Sequence, residues 1–133
     1  MLFVYRIEDH PDYAARVNRI FSRMRERGDT LCTSVFTVGE ILVGPYRKGA
    51  LEVASQVRAF LRPPDVELLP FTAEAADDYA RIRAAHRIPR ADAIHLASAA
   101  RSNVDLFLTN DRRLLALVIP GIQFIAGIDV ALF

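Results

Sequence analysis

Three acidic residues stand in stretches of sequence that are otherwise strongly apolar. Asp111 follows an apolar run and the polar pair Thr109 and Asn110 in "DLFLTNDRRL". Asp92 lies within "PRADAIHLASAA", and Glu40 lies within "VFTVGEILVG". Burying a carboxylate without a partner is costly. Each of the three positions therefore requires a cation, a hydrogen-bond donor or contact with water.

Each acid also has a purely structural explanation. Asp111 can belong to a turn, and Asp92 can complement the positive end of a helix dipole. Glu40 can lie on a narrow polar helix face with Thr37 and Gly44. Carboxylates that come together repel one another unless one is protonated or a cation neutralises them. Taken together, the three acids favour a shared cation site.

Residues that bind transition metals form no set in this chain. The three histidines, His10, His86 and His95, are scattered, and Cys32 is the single cysteine. Ligand sets made of oxygen favour Mg²⁺ or Mn²⁺. Carboxylate-held Mg²⁺ commonly serves phosphodiester hydrolysis, because it activates water and stabilises charge on the phosphate. His95, three residues after Asp92, has the chemistry of a ligand or general base, but core packing is the favoured interpretation.

Short strands alternate with helices along the chain, which predicts an α/β protein with a mainly parallel sheet. Ligands of such sheets lie beyond the carboxyl ends of the strands. Ser34 and Asp111 stand at two of these ends. The predicted helices are 12–28, 35–49, 50–61, 72–86, 89–103 and 111–117, and the predicted strands are 30–34, 66–71, 105–108 and 122–127.

Several local signals set the ends of these elements. Gly28 is placed to end the first helix, and Ser34 and Thr72 are placed to begin two others. Gly44 and Pro45 are expected to interrupt the helix that contains Glu40. That helix and the apolar strand at 105–108 are both expected to be mostly buried, since apolar residues surround them on nearly every face.

Composition and charge set the broad class. The 133 residues suit one domain, and 52% hydrophobic with 25% charged residues is ordinary for a globular protein. A net charge of +1 does not by itself indicate a nucleic-acid-binding protein. Of the lysine and arginine residues, all except Lys48 are arginine. This bias can arise from genomic base composition or from phosphate contact, and we favour genomic base composition. The helical stripe Arg16, Arg19, Arg23 and Arg27 is interpreted as a solvated face, with phosphate contact as the alternative.

The lone Cys32 cannot form an internal disulfide, so a reducing, cytoplasmic setting is expected. No apolar run approaches the 18 or more residues of a membrane span, so we expect no membrane association. The opening "MLFVYRIEDH" lacks the basic and long apolar regions of a secretory signal.

These residues carry a resemblance to the PIN-domain family, and more narrowly to the VapC-type toxins of bacterial and archaeal toxin–antitoxin pairs. The matching blocks are "LFVYRIEDHPDY", "TSVFTVGEILVGPYRKG" and "IPRADAIHLASAARSNVDLFLTNDRRL". With the order of elements between them they cover nearly the whole chain. The resemblance implies a three-layer α/β/α fold, a Mg²⁺- or Mn²⁺-dependent ribonuclease site with four acidic positions, a small antitoxin partner and a homodimer.

The resemblance assigns roles residue by residue. Glu40, Asp92 and Asp111 are similar to the family's second, third and fourth acids, which hold the metal. Thr109 and Asn110 resemble the polar pair that helps bind water, metal or phosphate. Ser34 and Thr37 resemble hydroxyl positions near the second acid.

The chain departs from the family at its start. In the family the first acid closes a strand just before the segment that resembles "LFVYRIEDHP", whereas this chain begins at Met1. The expectation is a single PIN-like domain over 1–133 whose first strand and first aspartate are missing. Glu8 and Asp9 resemble a helix-end turn and do not replace that aspartate. With three of four acids, we expect weak activity or none.

Three explanations of this departure stay open: a misassigned start codon, a truncated chain, or loss of catalysis with binding retained. The last one makes the protein a catalytically degenerate PIN domain that binds an antitoxin or RNA without cutting. The reading frame upstream of Met1 distinguishes the enzyme from the degenerate form. A metal-dependent phosphatase for small molecules is less favoured, because its usual D-x-D strand end is not present.

Overall fold

The computed structural model describes residues 11–129, in which helices and short strands alternate as predicted. The blocks of sequence before and after this range lie outside the described residues, including most of "LFVYRIEDHP". The helices are α1 (Ala14–Arg27), α2 (Val35–Arg47), α3 (Leu51–Phe60), α4 (Ala73–Ala85), α5 (Arg90–Arg101) and α6 (Arg112–Leu115). The strands are β1 (Cys32–Ser34), β2 (Glu67–Leu69), β3 (Leu106–Thr109) and β4 (Phe124–Gly127).

The local signals for helix ends are confirmed in three cases. Gly28 adopts the left-handed conformation with φ of 77°, which favours glycine, and its N–H donates to the last turn of α1. The hydroxyl oxygens of Ser34 and Thr72 cap α2 and α4, each accepting from the backbone N–H three residues on.

The predicted interruption of α2 is wrong. The helix runs through Pro45 to Arg47. Proline removes one backbone donor from the helix, but Lys48 and Ala50 still donate to the carbonyls of Gly44 and Pro45. The helix therefore loses the hydrogen bond that an N–H at position 45 would donate, while these two neighbouring backbone hydrogen bonds are kept.

Among residues 11–129 the strands form two parallel pairs, and no pairing within this range joins them into the single sheet that was predicted. β1 pairs with β2, with Thr33 opposite Leu68, and β3 pairs with β4, with Phe107 opposite Ile125. Among residues 11–129, no strand pairs with the second edge of β1 or of β3. Both pairs are parallel, so the predicted strand orientation is confirmed while their union into one sheet is not.

A groove of about 640 Å³ is lined by both β1 and β3. This groove explains why β3 is half-buried and not buried on both faces as predicted. Side chains in a strand next to an open groove keep part of their surface in contact with solvent. The groove is also lined by Ser34, Thr37, Asp92 and His95.

Two hydrophobic clusters fix the helices. One joins α1 and α3 through Val17, Phe21 and Val57, and the other surrounds α5 through Leu96 and Leu114. Leu96 is fully buried, together with its neighbours on α5. Because α5 is held on its apolar side, the polar residues near its first turns have a fixed position. No helix within the described range is long and apolar enough to cross a membrane.

The prediction that α2 is mostly buried is wrong for the chain by itself. Thr37 is its one buried residue. Large apolar side chains of α2, among them Val43 and Tyr46, are about half exposed at 45% and 51%. The apolar sequence of α2 therefore includes a surface that is exposed in the described part of the chain.

Candidate metal centre

Asp92 lies in the first turn of α5, half-buried, and makes no hydrogen bond or ion pair with another described residue. Burial raises the pKa of its carboxyl, and the charge of Asp111 raises it further. Arg113 and His95 act in the opposite direction, while Glu40 adds a smaller increase. Asp92 therefore lies within electrostatic reach of both other predicted acids, with its own oxygens uncommitted.

Asp111 caps the short helix α6, with its Oδ1 accepting from the backbone N–H of Arg113 at 2.9 Å. The guanidinium of Arg113 also binds the carboxylate through two hydrogen bonds, from Nη2 to Oδ2 at 2.6 Å and from Nε to Oδ1 at 3.0 Å. Hydrogen bonding from Arg113 lowers the pKa of Asp111. This carboxylate is thus ionised and already faces a cation.

Glu40 is exposed, at 46% of its side chain, and its Oε1 accepts from His95 Nε2 at 2.9 Å. The expected exposure of Glu40 is therefore confirmed, while its pairing with a cation or metal stays a prediction. Glu40 comes from α2 and His95 from α5, so this hydrogen bond joins the helices that carry the second and third predicted acids.

The interpretation of His95 as core packing is wrong. Its ring stacks at a tilt against Phe36, with 5.7 Å between centroids, but both ring nitrogens have polar partners. Nδ1 lies 2.7 Å from Ser34 Oγ and 3.4 Å from Thr37 Oγ1. Burial lowers the pKa of His95, and the hydrogen bond that His95 donates to Glu40 opposes this effect. The signal in the sequence was a polar residue at i+3 from Asp92 on an otherwise apolar helix.

Ser34 and Thr37 are the partners that His95 finds at the carboxyl end of β1. Both are buried, and Thr37 Oγ1 also accepts from Thr33 Oγ1 at 2.9 Å. The backbone N–H of Thr37 donates to Ser34 Oγ at 3.4 Å. These two hydroxyls therefore contact His95 in the described structure.

Thr109 is the last residue of β3, and Asn110 lies between it and Asp111. Thr109 is buried, and its Oγ1 accepts from the backbone N–H of Asp111 at 3.0 Å, which shapes the turn that presents the carboxylate. Both residues line a polar pocket of about 210 Å³. Arg16, Arg112 and Asp129 line the same pocket, so two cations and one anion flank this strand end.

The donor set of this region suits a hard divalent cation, since it offers three carboxylates and no thiolate. A cation would relieve the like-charge repulsion that raises the pKa of Asp92. As placed, however, no three acidic, histidine or cysteine side chains of residues 11–129 converge on one metal position. The arginine on Asp111 is exposed, and exposed ion pairs are weak, so a divalent cation can compete with it.

Comparisons with known proteins agree with this fold. The family model of the PIN domain matches residues 2–118, so the chain belongs to the PIN-domain family. A similar chain occurs in the crystal structure of VapBC2 from Rickettsia felis bound to a DNA fragment from their promoter, with a TM-score of 0.73 at 20% identity over 95% of this chain and 92% of that chain. A comparison with curated proteins gave no match. The predicted PIN-like α/β fold is confirmed.

Proposed function

We propose that this protein is a VapC-type toxin, a Mg²⁺- or Mn²⁺-dependent endoribonuclease that cleaves RNA phosphodiester bonds. The observation that carries the proposal is the placement of Asp92, an uncommitted carboxylate whose pKa is raised by burial and by the charges of Asp111 and Glu40. Membership in the PIN-domain family and likeness to a chain of a VapBC2 complex support it.

Glu40, Asp92 and Asp111 would hold the metal, which supplies an activated water and charge stabilisation when bound. Asp92 contributes oxygens that have no competing partner. Glu40 keeps Oε1 on His95 and has Oε2 available. Asp111 must exchange its contact with Arg113, whose side chain is largely exposed and can turn toward the substrate.

The chain's remaining polar groups at this edge suit an RNA backbone. Arg16 and Arg112 have no ion pair with another described residue, and both line the pocket next to Asp111. Guanidinium groups bind phosphate oxygens in a planar, two-pronged geometry. We assign them to the phosphates that neighbour the cleaved bond, while Thr109 and Asn110 help to place water or phosphate.

The apolar side chains exposed on α2 and α3 favour protein partners. Six of them make up this surface: Val35, Phe36, Val43, Tyr46, Leu51 and Val53. We infer a homodimer from this exposed apolar surface, and a small antitoxin by analogy with the VapBC2 complex, as the two partners of the protein in the cytoplasm. Light scattering after size exclusion should give twice the 14.9 kDa chain mass, and Val43→Glu should give the monomer. A wild-type monomer would contradict the homodimer.

The test of the proposed activity is hydrolysis of RNA by the purified chain with Mg²⁺ or Mn²⁺. We expect EDTA, Asp92→Asn or Asp111→Asn to abolish cleavage, because each removes the metal or one of its ligands. Asp77→Asn is the matched control, since Asp77 pairs with Arg81 on the exposed side of α4, away from the site. Cleavage that survives both site variants would contradict the assignment.

A second candidate is the catalytically degenerate PIN domain that binds an antitoxin or RNA without cutting. The absence of a converged metal position among residues 11–129 favours it, as does the arginine seated on Asp111. RNA binding in EDTA that equals binding in Mg²⁺, with no cleavage in either, is the result expected for this alternative.

A further inference from the structure

We propose that His95 is a positioning residue that orients Glu40 for the metal through a fixed chain of hydrogen bonds beginning at the end of β1. This inference rests on the proposed function, because it assigns a purpose to His95 within that site. Its basis is the bond of 2.9 Å from His95 Nε2 to Glu40 Oε1 and the bond of 2.7 Å between His95 Nδ1 and Ser34 Oγ.

The direction of each hydrogen bond follows from the chemistry of its partner. A carboxylate oxygen only accepts, so His95 Nε2 carries the proton that it shares with Glu40. In the neutral ring Nδ1 is then an acceptor, and the hydroxyl of Ser34 donates to it. Ser34 Oγ in turn accepts from the backbone N–H of Thr37. Thr37 Oγ1, 3.4 Å from the same Nδ1, is also a hydroxyl that can donate to it, so both contacts of Nδ1 fit the tautomer with the proton on Nε2.

The anchor of this chain is rigid, whereas Glu40 is not. Ser34 is 4% exposed and caps α2, and Leu96 and Ala97, which follow His95 on α5, are fully buried. The ring of Phe36 covers His95 from the side of α2. Glu40 is an exposed side chain with several rotamers, and the bond to His95 restricts them. One carboxylate oxygen is held by the histidine, and the other stays available for the cation.

The same three residues do not form a nucleophilic triad. Ser34 is buried and its oxygen is engaged as the cap of α2, so it is closed to attack on a substrate. A serine nucleophile would need an exposed hydroxyl near the substrate. The pattern instead matches a polar group that holds the ligand of a metal, where loss of the partner commonly costs ten- to a hundred-fold in metal affinity.

The experiment measures Mn²⁺ binding by calorimetry for the wild-type chain, His95→Phe, His95→Gln and His86→Phe. Phenylalanine keeps the ring packing and removes both hydrogen bonds, while glutamine restores a donor near Nε2. His86 follows α4 and lies outside the site, so His86→Phe is the control for the same substitution at a different position. We expect His95→Phe to weaken Mn²⁺ binding about ten-fold or more, His95→Gln to recover most of it, and His86→Phe to change nothing.

Nitrogen chemical shifts of His95 in labelled protein provide the second measurement, and we expect the tautomer with the proton on Nε2. Unchanged Mn²⁺ binding in His95→Phe, equal losses in His95→Phe and His95→Gln, or a proton on Nδ1 instead would each overturn the inference. A wild-type chain that binds no Mn²⁺ would overturn the proposed metal centre itself, and with it the purpose of His95. If the wild-type chain binds Mn²⁺, the metal centre stands and a negative result for the His95 variants concerns only the positioning role of His95.

Discussion

Arg113 holds the carboxylate of Asp111 across a gap of two residues, with Nη2 at 2.6 Å from Oδ2 and Nε within 3.1 Å of both oxygens. The arginine thus faces the oxygens that a metal would need. Both side chains are near the surface, with Arg113 largely exposed. The contact therefore acts as a weak, local competitor for the cation and not as a structural bond.

Removal of this competitor should improve metal binding. In Arg113→Gln the oxygens of Asp111 lose their guanidinium partner, so we expect tighter Mn²⁺ binding by calorimetry, by about two- to five-fold at low salt, which corresponds to the worth of an exposed ion pair. Cleavage of RNA should not rise in parallel if Arg113 also contacts substrate.

The control for this prediction is Arg112→Gln. It removes the same charge from the adjacent residue, but Arg112 makes no bond to Asp111 in the described structure. An equal gain in both variants would mean that general electrostatic attraction explains the effect, and that the grip of Arg113 on Asp111 does not limit metal binding.

Asp92 should lower the stability of the metal-free protein at neutral pH. Its pKa in the folded state is raised, first by burial and then by Asp111, so the ionised form is disfavoured by folding. The resulting loss of folding stability is complete at a pH above the pKa of Asp92 in the folded state. It decreases as the pH falls through that value and is absent below the pKa of Asp92 in the unfolded state. We therefore expect Asp92→Asn to raise the melting temperature at pH 7, with a difference that vanishes in acid.

Thermal unfolding in EDTA over a series of pH values measures this difference. Asp78→Asn is a useful control on the neighbouring helix, because it removes the charge and one of the two oxygens that accept from Arg101 at 3.0 Å. We expect this variant to lower the melting temperature at pH 7. A lower melting temperature for Asp92→Asn as well would show that Asp92 stabilises the fold, contrary to the raised pKa.

The sequence was sufficient for features that depend on neighbours along the chain. Ser34, Thr72 and Gly28 mark helix ends because their capping groups reach backbone atoms only a few residues away. The apolar stripe of α5 likewise identified its buried face. Local patterns predict only the α/β class, and the match to the PIN-domain family identifies the particular fold.

Features that depend on distant contacts were not predictable in this way. The partners of His95 are 55 and 61 residues away, so its apolar neighbours on α5 suggested packing where the structure shows hydrogen bonds. The exposure of α2 and the groove between β1 and β3 depend on which surfaces meet in three dimensions. Hydrophobicity identifies a face that avoids water, but it does not say what covers that face.

Two helix caps allow stability and site geometry to be separated. Ser34→Ala and Thr72→Ala each remove a hydroxyl that accepts from a backbone N–H, and each should cost about 1 kcal/mol of unfolding free energy in urea. Only Ser34 also touches His95. We therefore expect Ser34→Ala, but not Thr72→Ala, to weaken Mn²⁺ binding. Equal Mn²⁺ affinities in the two variants would contradict a link from Ser34 to the site.

Arg16 and Arg112 should contribute phosphate contacts to RNA binding. Of the arginine stripe on α1, Arg23 pairs with Glu26 and Arg27 with Asp29, whereas Arg16 lines the pocket beside the acid site. Each phosphate neutralised on a single strand contributes about 0.7 to the slope of log affinity against log salt. The double variant Arg16→Ala/Arg112→Ala should therefore lose about 1.4 from that slope.

The measurement is fluorescence anisotropy of a labelled single-stranded RNA in EDTA, where cleavage cannot distort binding, at several salt concentrations. The double variant Arg19→Ala/Arg25→Ala serves as the control, because it removes the same charge from α1 at positions that do not line the pocket. A local contact predicts a smaller slope only for the pocket variant, whereas a diffuse field of the whole protein would change both variants alike. Similar slopes in both would mean that Arg16 and Arg112 attract RNA only through net charge, and that the pocket beside Asp111 is not where its phosphates bind.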